Sequence, residues 1–200
     1  ISTGIEISEI EKKFLNDFVL SKGGIVSHSV NHFFDWGADY NDAYYECAQS
    51  QKWLIDNLPA IRKIDYAVSP FHTNKRYSVD ALADAGYKGF ISGIIHNDPE
   101  FLLSTSGIVP FANKKIVTHS QQCMLHGDCY HRYGNSISVY KEAFDFHFTA
   151  RRMFGYLDHP FGEYDYGWSS EEERLDAHSE FINYINSYDN VHWMNLVDLL

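Results

Sequence analysis

The sequence is short of positive charge. Sixteen Lys and Arg stand against 27 Asp and Glu, a formal net charge of −11, which argues against nucleic acid or an anionic membrane surface as partner. It also lacks any run of about 18 apolar residues, so no segment reads as a membrane span. Three cysteines, Cys47, Cys123 and Cys129, are too few for a disulfide framework, and the redox compartment stays open. No internal repeat, low-complexity tract or linker interrupts the 200 residues, which suffice for one domain with a sizeable core. Residues 1–200 therefore read as a single domain. Signal peptide and initiator Met are both missing. Beginning at Ile1, the chain reads as a trimmed or processed piece whose targeting information lies upstream.

Aromatic residues are plentiful: 14 Tyr, 14 Phe and 4 Trp make up 16% of the chain. Most such rings fill a core, although ring-bearing ligands such as carbohydrates are bound by the same groups. Eleven histidines exceed ordinary structural need and fall mainly between the periodic segments.

Those segments alternate. A helix over 7–22 opens with the capping box Ser8/Glu11, carries Ile7, Ile10, Phe14 and Phe18 on one face and stops at Gly23. A strand follows from Gly23, β-branched at Ile25 and Val26, and ends by presenting His28 and His32. The second helix shows Tyr44, Cys47, Leu54, Ile55 and Leu58 on its apolar positions and closes at Pro59. A strand over 64–69 ends at Pro70-Phe71-His72. Ser78 caps a helix over 79–85 with Gly86 as its stop, and a strand covers 88–92. After a less legible stretch come a strand at 115–118, a polar His-rich loop over 119–135, a helix over 138–151 and a strand over 153–158 ending at Asp158-His159-Pro160. Ser169 or Ser170 caps a long helix with Leu175, His178, Phe181, Ile182 and Ile185 as its stripe, and 191–195 reads as a last strand. Alternation of this kind predicts right-handed crossovers and a parallel sheet or barrel.

In such folds, sites collect at the carboxyl ends of the strands. Two neutral imidazoles four residues apart at a strand end can share a zinc-like ion, with a third protein ligand and a water completing the shell. The bland alternative is a pair of hydrogen-bonded histidines. For His159 before Pro160 it is a turn residue, and for His178 a satisfied core histidine. His72 reads as either a neighbour of the site or a solvent-exposed residue. The spacing His119, Cys123, His126, Cys129, His131 fits no zinc-finger pattern. It reads as a solvated loop over the cleft, with a second metal site or a Cys123–Cys129 bridge as the other readings. Trp36, Trp168, Tyr164 and Tyr166 fall in loops after site-bearing strands, where they would stack on sugar rings or pack turns.

Taken in order, His28-Ser29-Val30-Asn31-His32, Ser69-Pro70-Phe71-His72, Ala85-Gly86-Tyr87 and Leu157-Asp158-His159 resemble the motifs of the polysaccharide deacetylase (NodB-homology) family of carbohydrate esterases. The resemblance implies an α/β fold, a distorted and incomplete (β/α) barrel, with His28, Pro70 and His159 at one common strand edge. It implies metal-dependent removal of N-acetyl groups from a glycan. His28 and His32 would bind a divalent ion, zinc by expectation, His159 would act as catalytic acid, and Pro70, Phe71, His72 and Trp36 would line the substrate. An exported or cell-envelope setting is compatible with it. The likeness is divergent. The family's first motif, an Asp-Asp pair supplying a metal ligand and the base, occurs nowhere in the sequence, Val68 replaces the Arg that supports the base, and His72 replaces a Gly. The expected first strand would lie upstream of Ile1, and the chain by itself is expected to show little deacetylase activity. Hydrolysis of another non-peptide C–N bond, or a non-catalytic glycan-binding or structural relative, are the alternative functions.

Overall fold

Ser8 starts the first helix as the sequence expects. Its hydroxyl accepts from Glu11 N at 3.3 Å, and the Glu11 carboxylate accepts from Ser8 N at 2.8 Å, so two amide donors at the helix start are satisfied reciprocally. In the computed structural model this helix is α1, Glu9–Leu20. The structure describes residues 3–4, 6–91, 109–110, 116–119, 123–159 and 166–198. Where the sequence reads as one domain, the chain divides into two compact units. The first comprises Ile1–Ser92, Ile108–His119 and Met194–Leu200; the second comprises Gly93–Gly107 and Ser120–Trp193.

In the first unit, α2 (Tyr40–Asn57) is capped by Asp39, whose carboxylate accepts from Asn41 N and Asp42 N. Then come β1 (Tyr66–Val68), α3 (Arg76–Asp84), β2 (Gly89–Ile91), β3 (Val109–Pro110) and β4 (Val117–His119). The sheet runs β1-β2-β4-β3, with β1, β2 and β4 parallel and β3 antiparallel to β4. The parallel pairing expected from the alternation is therefore present. The segment before His28 is shorter than a strand. It joins β1 through one parallel bridge, Ser27 to Ala67, with Ser27 N donating to Tyr66 O at 3.2 Å and Val68 N to Ser27 O at 2.8 Å. Cys47, Leu54, Leu58, Leu82, Phe90 and Ile116 lie in its core.

Two helix faces differ from the sequence reading. On α1 it is Leu15 and Val19 that pack inward, while Ile10 and Phe14 are 82% and 68% exposed. The helix carries two apolar stripes, and the longer one faces out. On α2 the buried residues are Ala43, Glu46, Cys47, Ser50 and Leu54, with Tyr44 and Ile55 outside. Two polar side chains thus occupy the inward face, for a reason given by the site below. The left-handed position ending α1 falls on Lys22 (φ 75). At Gly23 a Cβ would lie 2.2 Å from the Phe18 ring, so any larger residue there would have to displace that ring.

The second unit contains β5 (Cys123–Met124), α4 (Gly127–Arg132), α5 (Ser138–Thr149), β6 (Tyr156–Leu157) and α6 (Glu171–Asn186). Strands β5 and β6 pair in parallel. The supposed solvated loop over 119–135 is corrected here: its described part is a strand and a helix with Cys123, Leu125, His126 and Cys129 buried. Cys123 and Cys129 form no disulfide, so the bridge reading is corrected as well. Ser170 caps α6, accepting from Glu173 N at 3.1 Å, but Leu175 is exposed and Ala177 joins Phe181 and Ile185 in the core. Residues 191–195 form no strand. Among the described residues the strands make a four-stranded and a two-stranded sheet, and no closed barrel is formed. No described helix is long and apolar enough to cross a membrane.

Candidate metal and substrate site

His28 follows the Ser27 bridge, and Pro70 follows β1, so the first two sequence motifs leave neighbouring parallel segments at the same end. The segment 28–32 turns sharply. Ser29 (φ 67) and His32 (φ 56) are both left-handed, a conformation that costs a side-chain-bearing residue energy unless its surroundings enforce it. Here they do. His32 N donates to Ser29 Oγ at 2.9 Å. The Glu46 carboxylate accepts from Val30 N at 2.9 Å, Asn31 N at 2.8 Å and Asn31 Nδ2 at 2.6 Å. One turn further along α2, Ser50 Oγ meets Ser27 Oγ at 2.8 Å. Thr3 N and Gly4 N donate to Ser29 O and Val30 O on another side of the turn. Glu46 is 1% exposed, and a buried carboxylate needs such donors.

The two rings meet edge to face with centroids 4.6 Å apart, and their Nε2 atoms approach to 2.9 Å. The His28 Nδ1 lies 2.8 Å from Val68 O. A carbonyl can only accept, so Nδ1 carries the proton of the neutral ring and Nε2 presents its lone pair. Burial pushes the His28 pKa down to about 3, with repulsion from His32 and His72 adding to it. Burial lowers His32 too. Both rings are therefore neutral near pH 7, as metal ligands must be. Two nitrogens each about 2.0–2.1 Å from a tetrahedral ion are separated by roughly 3.3 Å, a few tenths of an ångström wider than the pair stands. A backbone carbonyl holding the distal ring nitrogen is the usual support of a ligating histidine. The pair stands as two hydrogen-bonded histidines and could supply two of the ligands a divalent ion needs. Among the described residues, no group of three or more His, Cys, Asp or Glu side chains is arranged to hold one.

The turn Pro70–His72 stands beside the pair, left-handed at Phe71 (φ 51) and His72 (φ 60). Phe71 is 52% exposed, with its ring centroid 4.7 Å from that of His32. Pro70 is buried and shapes the turn from beneath. Trp36 does not line a cleft. It is fully buried, and its Nε1 donates to Asn74 Oδ1 at 2.9 Å, so no ring face is left for a sugar and the expectation is corrected.

In the second unit, His159 follows β6. Its ring stacks on Tyr166 at 3.9 Å and 22°, with His126 at 6.4 Å. Its neighbour Asp158 is fully engaged. It accepts from Trp168 Nε1 at 2.9 Å, pairs with Arg174 and lies 2.9 Å from His178 Nε2. Burial alone would raise its pKa, yet these hydrogen bonds prevail and hold it below the usual carboxylate range. Trp168 is buried, which removes it as a sugar-stacking residue, and His178 is a half-buried histidine set against Asp158. Of the other His-rich motif, His126 Nε2 and Cys129 Sγ lie 4.0 Å apart, and His131 pairs with Glu173 at 2.8 Å. Tyr164 lies outside the described residues, as does Pro160; so does the side chain of His119.

Sequence reasoning passed over Glu46, Ser50 and Asn74. A signal existed for the first two: a Glu and a Ser at i and i+4 on the face of α2 that carries Cys47, where only apolar residues are expected.

No protein-family model matches the chain, and no curated protein sequence matches it significantly. Solved structures do resemble it. A putative polysaccharide deacetylase from Mycobacterium smegmatis is 13% identical, with 94% of this chain and 65% of that chain covered and a TM-score of 0.63. The Xyl-CE4 domain of a multidomain xylanase from the hindgut metagenome of Trinervitermes trinervoides is 10% identical, with 98% and 72% covered and a TM-score of 0.57. The deacetylase PplD of Streptococcus pyogenes, in complex with acetate, overlaps only in part (14% identity, 55% of this chain, TM-score 0.42), and this chain spans 43% of its length. At these identities the likeness is one of fold, and the fold is that of the polysaccharide deacetylases.

Proposed function

We propose that the protein is a metal-dependent hydrolase that removes N-acetyl groups from a glycan. The observation that carries this reading is the convergence of the His28 and His32 Nε2 atoms at 2.9 Å, with His28 held in one neutral tautomer by Val68 O. A divalent ion of the zinc type, held there by His28 and His32, would supply a Lewis acid for the acetamide carbonyl and lower the pKa of a bound water. The chain's own residues do the positioning. Val68 O orients the His28 imidazole, Ser29 and Glu46 fix the turn that bears both rings, and Phe71 and His72 flank them on one side. His159 is assigned the proton given to the departing amine, and stacking on Tyr166 sets the plane of its ring. Asp158, committed to Trp168, Arg174 and His178, is not assigned as base. An incomplete (β/α) barrel is the scaffold this reading expects, and parallel pairing in both sheets supports it.

A second reading, a non-catalytic glycan-binding relative, draws support from the lack of a third ligand beside the pair among the described residues. The same chemistry on another non-peptide C–N bond is a variant of the first. Elemental analysis of protein purified without chelators, paired with an assay of acetate release from N-acetylglucosamine oligomers, separates them. About one equivalent of metal, lost in the His28→Ala/His32→Ala variant together with acetate release, is the result expected of a hydrolase. Metal retained without acetate release favours the binding relative. Metal content unchanged by the double substitution refutes both assignments of the pair.

A further inference from the structure

Two histidines occupy equivalent places at the ends of β5 and β6. Met124 pairs with Leu157, and Leu125 N donates to Leu157 O at 2.9 Å, so His126 and His159 each stand two residues past a partner in register. His126 is still extended (φ −126, ψ 166), and residues two apart on an extended chain share a face. The rings accordingly come together. Their centroids lie 6.4 Å apart at 52°, and both lie against Tyr166, at 5.8 Å and 3.9 Å. We infer that His126 is a positioning residue for His159, whose inner ring nitrogen it holds through one bridging water so that His159 can carry its proton. The inference rests on the assignment of His159 as the catalytic acid.

A histidine that delivers a proton from one nitrogen is oriented by the hydrogen bond that the other makes. Asp158 is turned to the opposite side of the strand, where it accepts from Trp168 and faces Arg174 and His178. Tyr166 lies over the face of the His159 ring at 22°, where a stacked ring offers nothing to an in-plane N–H. His126 does offer an acceptor. It is 1% exposed, and its Nε2 stands 4.0 Å from Cys129 Sγ, a weak acceptor. With the proton on Nε2, Nδ1 presents a lone pair, and that atom is enclosed and makes no hydrogen bond among the described residues. Buried polar atoms are rarely left so. The Nδ1 of His159 is enclosed as well. A direct bond of about 2.9 Å between ring nitrogens would bring the centroids to about 5 Å. At 6.4 Å the rings stand as two imidazoles joined through one water do.

Charge suits the arrangement. Burial lowers the His126 pKa, Asp128 and Asp158 push it back up, and Arg132 lowers it further. Burial prevails, so His126 is neutral near pH 7 and accepts from a protonated His159 without repelling it. The residues that follow complete the site, since Asp128 N donates to Tyr166 O at 3.0 Å and so places Tyr166 beside His159.

Histidine-ring NMR tests this without relying on turnover. The full chain is titrated with zinc present, as parent, His126→Ala, His126→Phe, His126→Asn and, as control, His131→Gln, with the His159 signal identified by its loss in His159→Gln. Removing the acceptor in His126→Ala or His126→Phe should lower the His159 midpoint by about one pH unit. His126→Asn, whose Oδ1 falls near the place of Nδ1, should recover at least half of that shift, and His131→Gln should leave the midpoint where it was. Where the parent releases acetate from N-acetylglucosamine oligomers, the alkaline limb of kcat should move down with the midpoint while KM holds. If His126→Ala does not fold, the Phe and Asn variants decide. A midpoint in His126→Phe within about 0.2 units of the parent overturns the inference, and so does an Asn variant no different from Phe, since packing rather than the acceptor would then be responsible. A parent that binds no metal and releases no acetate, yet shows the shift and its recovery, upholds the pairing and removes the hydrolase reading instead.

Discussion

Replacing Glu46 tests how the histidine turn is held. Its carboxylate receives two backbone amides, Val30 N and Asn31 N, and the Asn31 side-chain amide, all at 2.9 Å or less. Glu46→Ala removes the acceptor and leaves two backbone donors in a largely enclosed place. At about 1–3 kcal/mol per unsatisfied donor, the loss is about 2–6 kcal/mol, a large share of the ~5–15 kcal/mol that a domain commands. Glu46→Gln retains one carbonyl oxygen for the two backbone amides, and Asn31 can turn its own oxygen toward the new NH₂ group. That variant should lose only about 1–2 kcal/mol, the difference between charged and neutral acceptors. Urea unfolding gives the ordering Ala worse than Gln worse than parent. Amide exchange at Val30 and Asn31 should quicken in Ala far more than at β2, and metal affinity should fall because His32 follows the freed segment. Equal exchange at residues 30 and 31 in Glu46→Ala and parent, with stability within ~0.5 kcal/mol, would refute the clamp.

Other outcomes follow from the same geometry. Stability should decline as the pH falls from 6.5 toward about 3, because His28 binds a proton in the unfolded chain throughout that window while burial keeps it neutral in the folded one; the slope reaches about 1.4 kcal/mol per pH unit, and His28→Gln should flatten it. Asp158→Ala should cost about 3–5 kcal/mol by leaving Arg174 and His178 facing each other without their carboxylate, measurable by thermal unfolding. Gly127→Ala would place a methyl 2.0 Å from Trp168 N and 2.1 Å from Gly167 C, so a cost of about 1–3 kcal/mol or more is expected, with the Tyr166–His159 stack displaced and its aromatic NMR shifts altered.

The elements were legible where local chemistry decides them. Ser8 and Ser170 cap helices through their own side chains, and Gly86 (φ 93) ends α3 in the left-handed conformation that glycine adopts freely. The pairing of His28 with His32 was legible too, since four residues of turn cannot separate the rings far. What the sequence concealed is set by tertiary choice. Nothing in α1 says that Leu15 and Val19 win the core over Ile10 and Phe14, because both stripes have helical spacing. Trp36 looked like a loop aromatic, and only the distant Asn74, 38 residues on, makes it a core residue. The polar letters of 119–135 suggested a loop, yet His126 and Cys129 are buried. Polarity of composition does not by itself fix exposure.

The single bridge at Ser27 has a consequence for the order of assembly. Because the histidine segment has almost no strand of its own, the side chains that clamp it and the carbonyl that fixes its first ring arrive later in the chain: Glu46 and Ser50 from α2, and Val68 O from β1, 40 residues beyond His28. At a synthesis rate of about 5–20 residues per second, the two histidines emerge roughly 2–8 s before the carbonyl that fixes their tautomer. During that interval they belong to a flexible loop whose closure is still an entropic cost. The paired geometry of the two rings is a product of docking, and it forms only once α2 and β1 have come together.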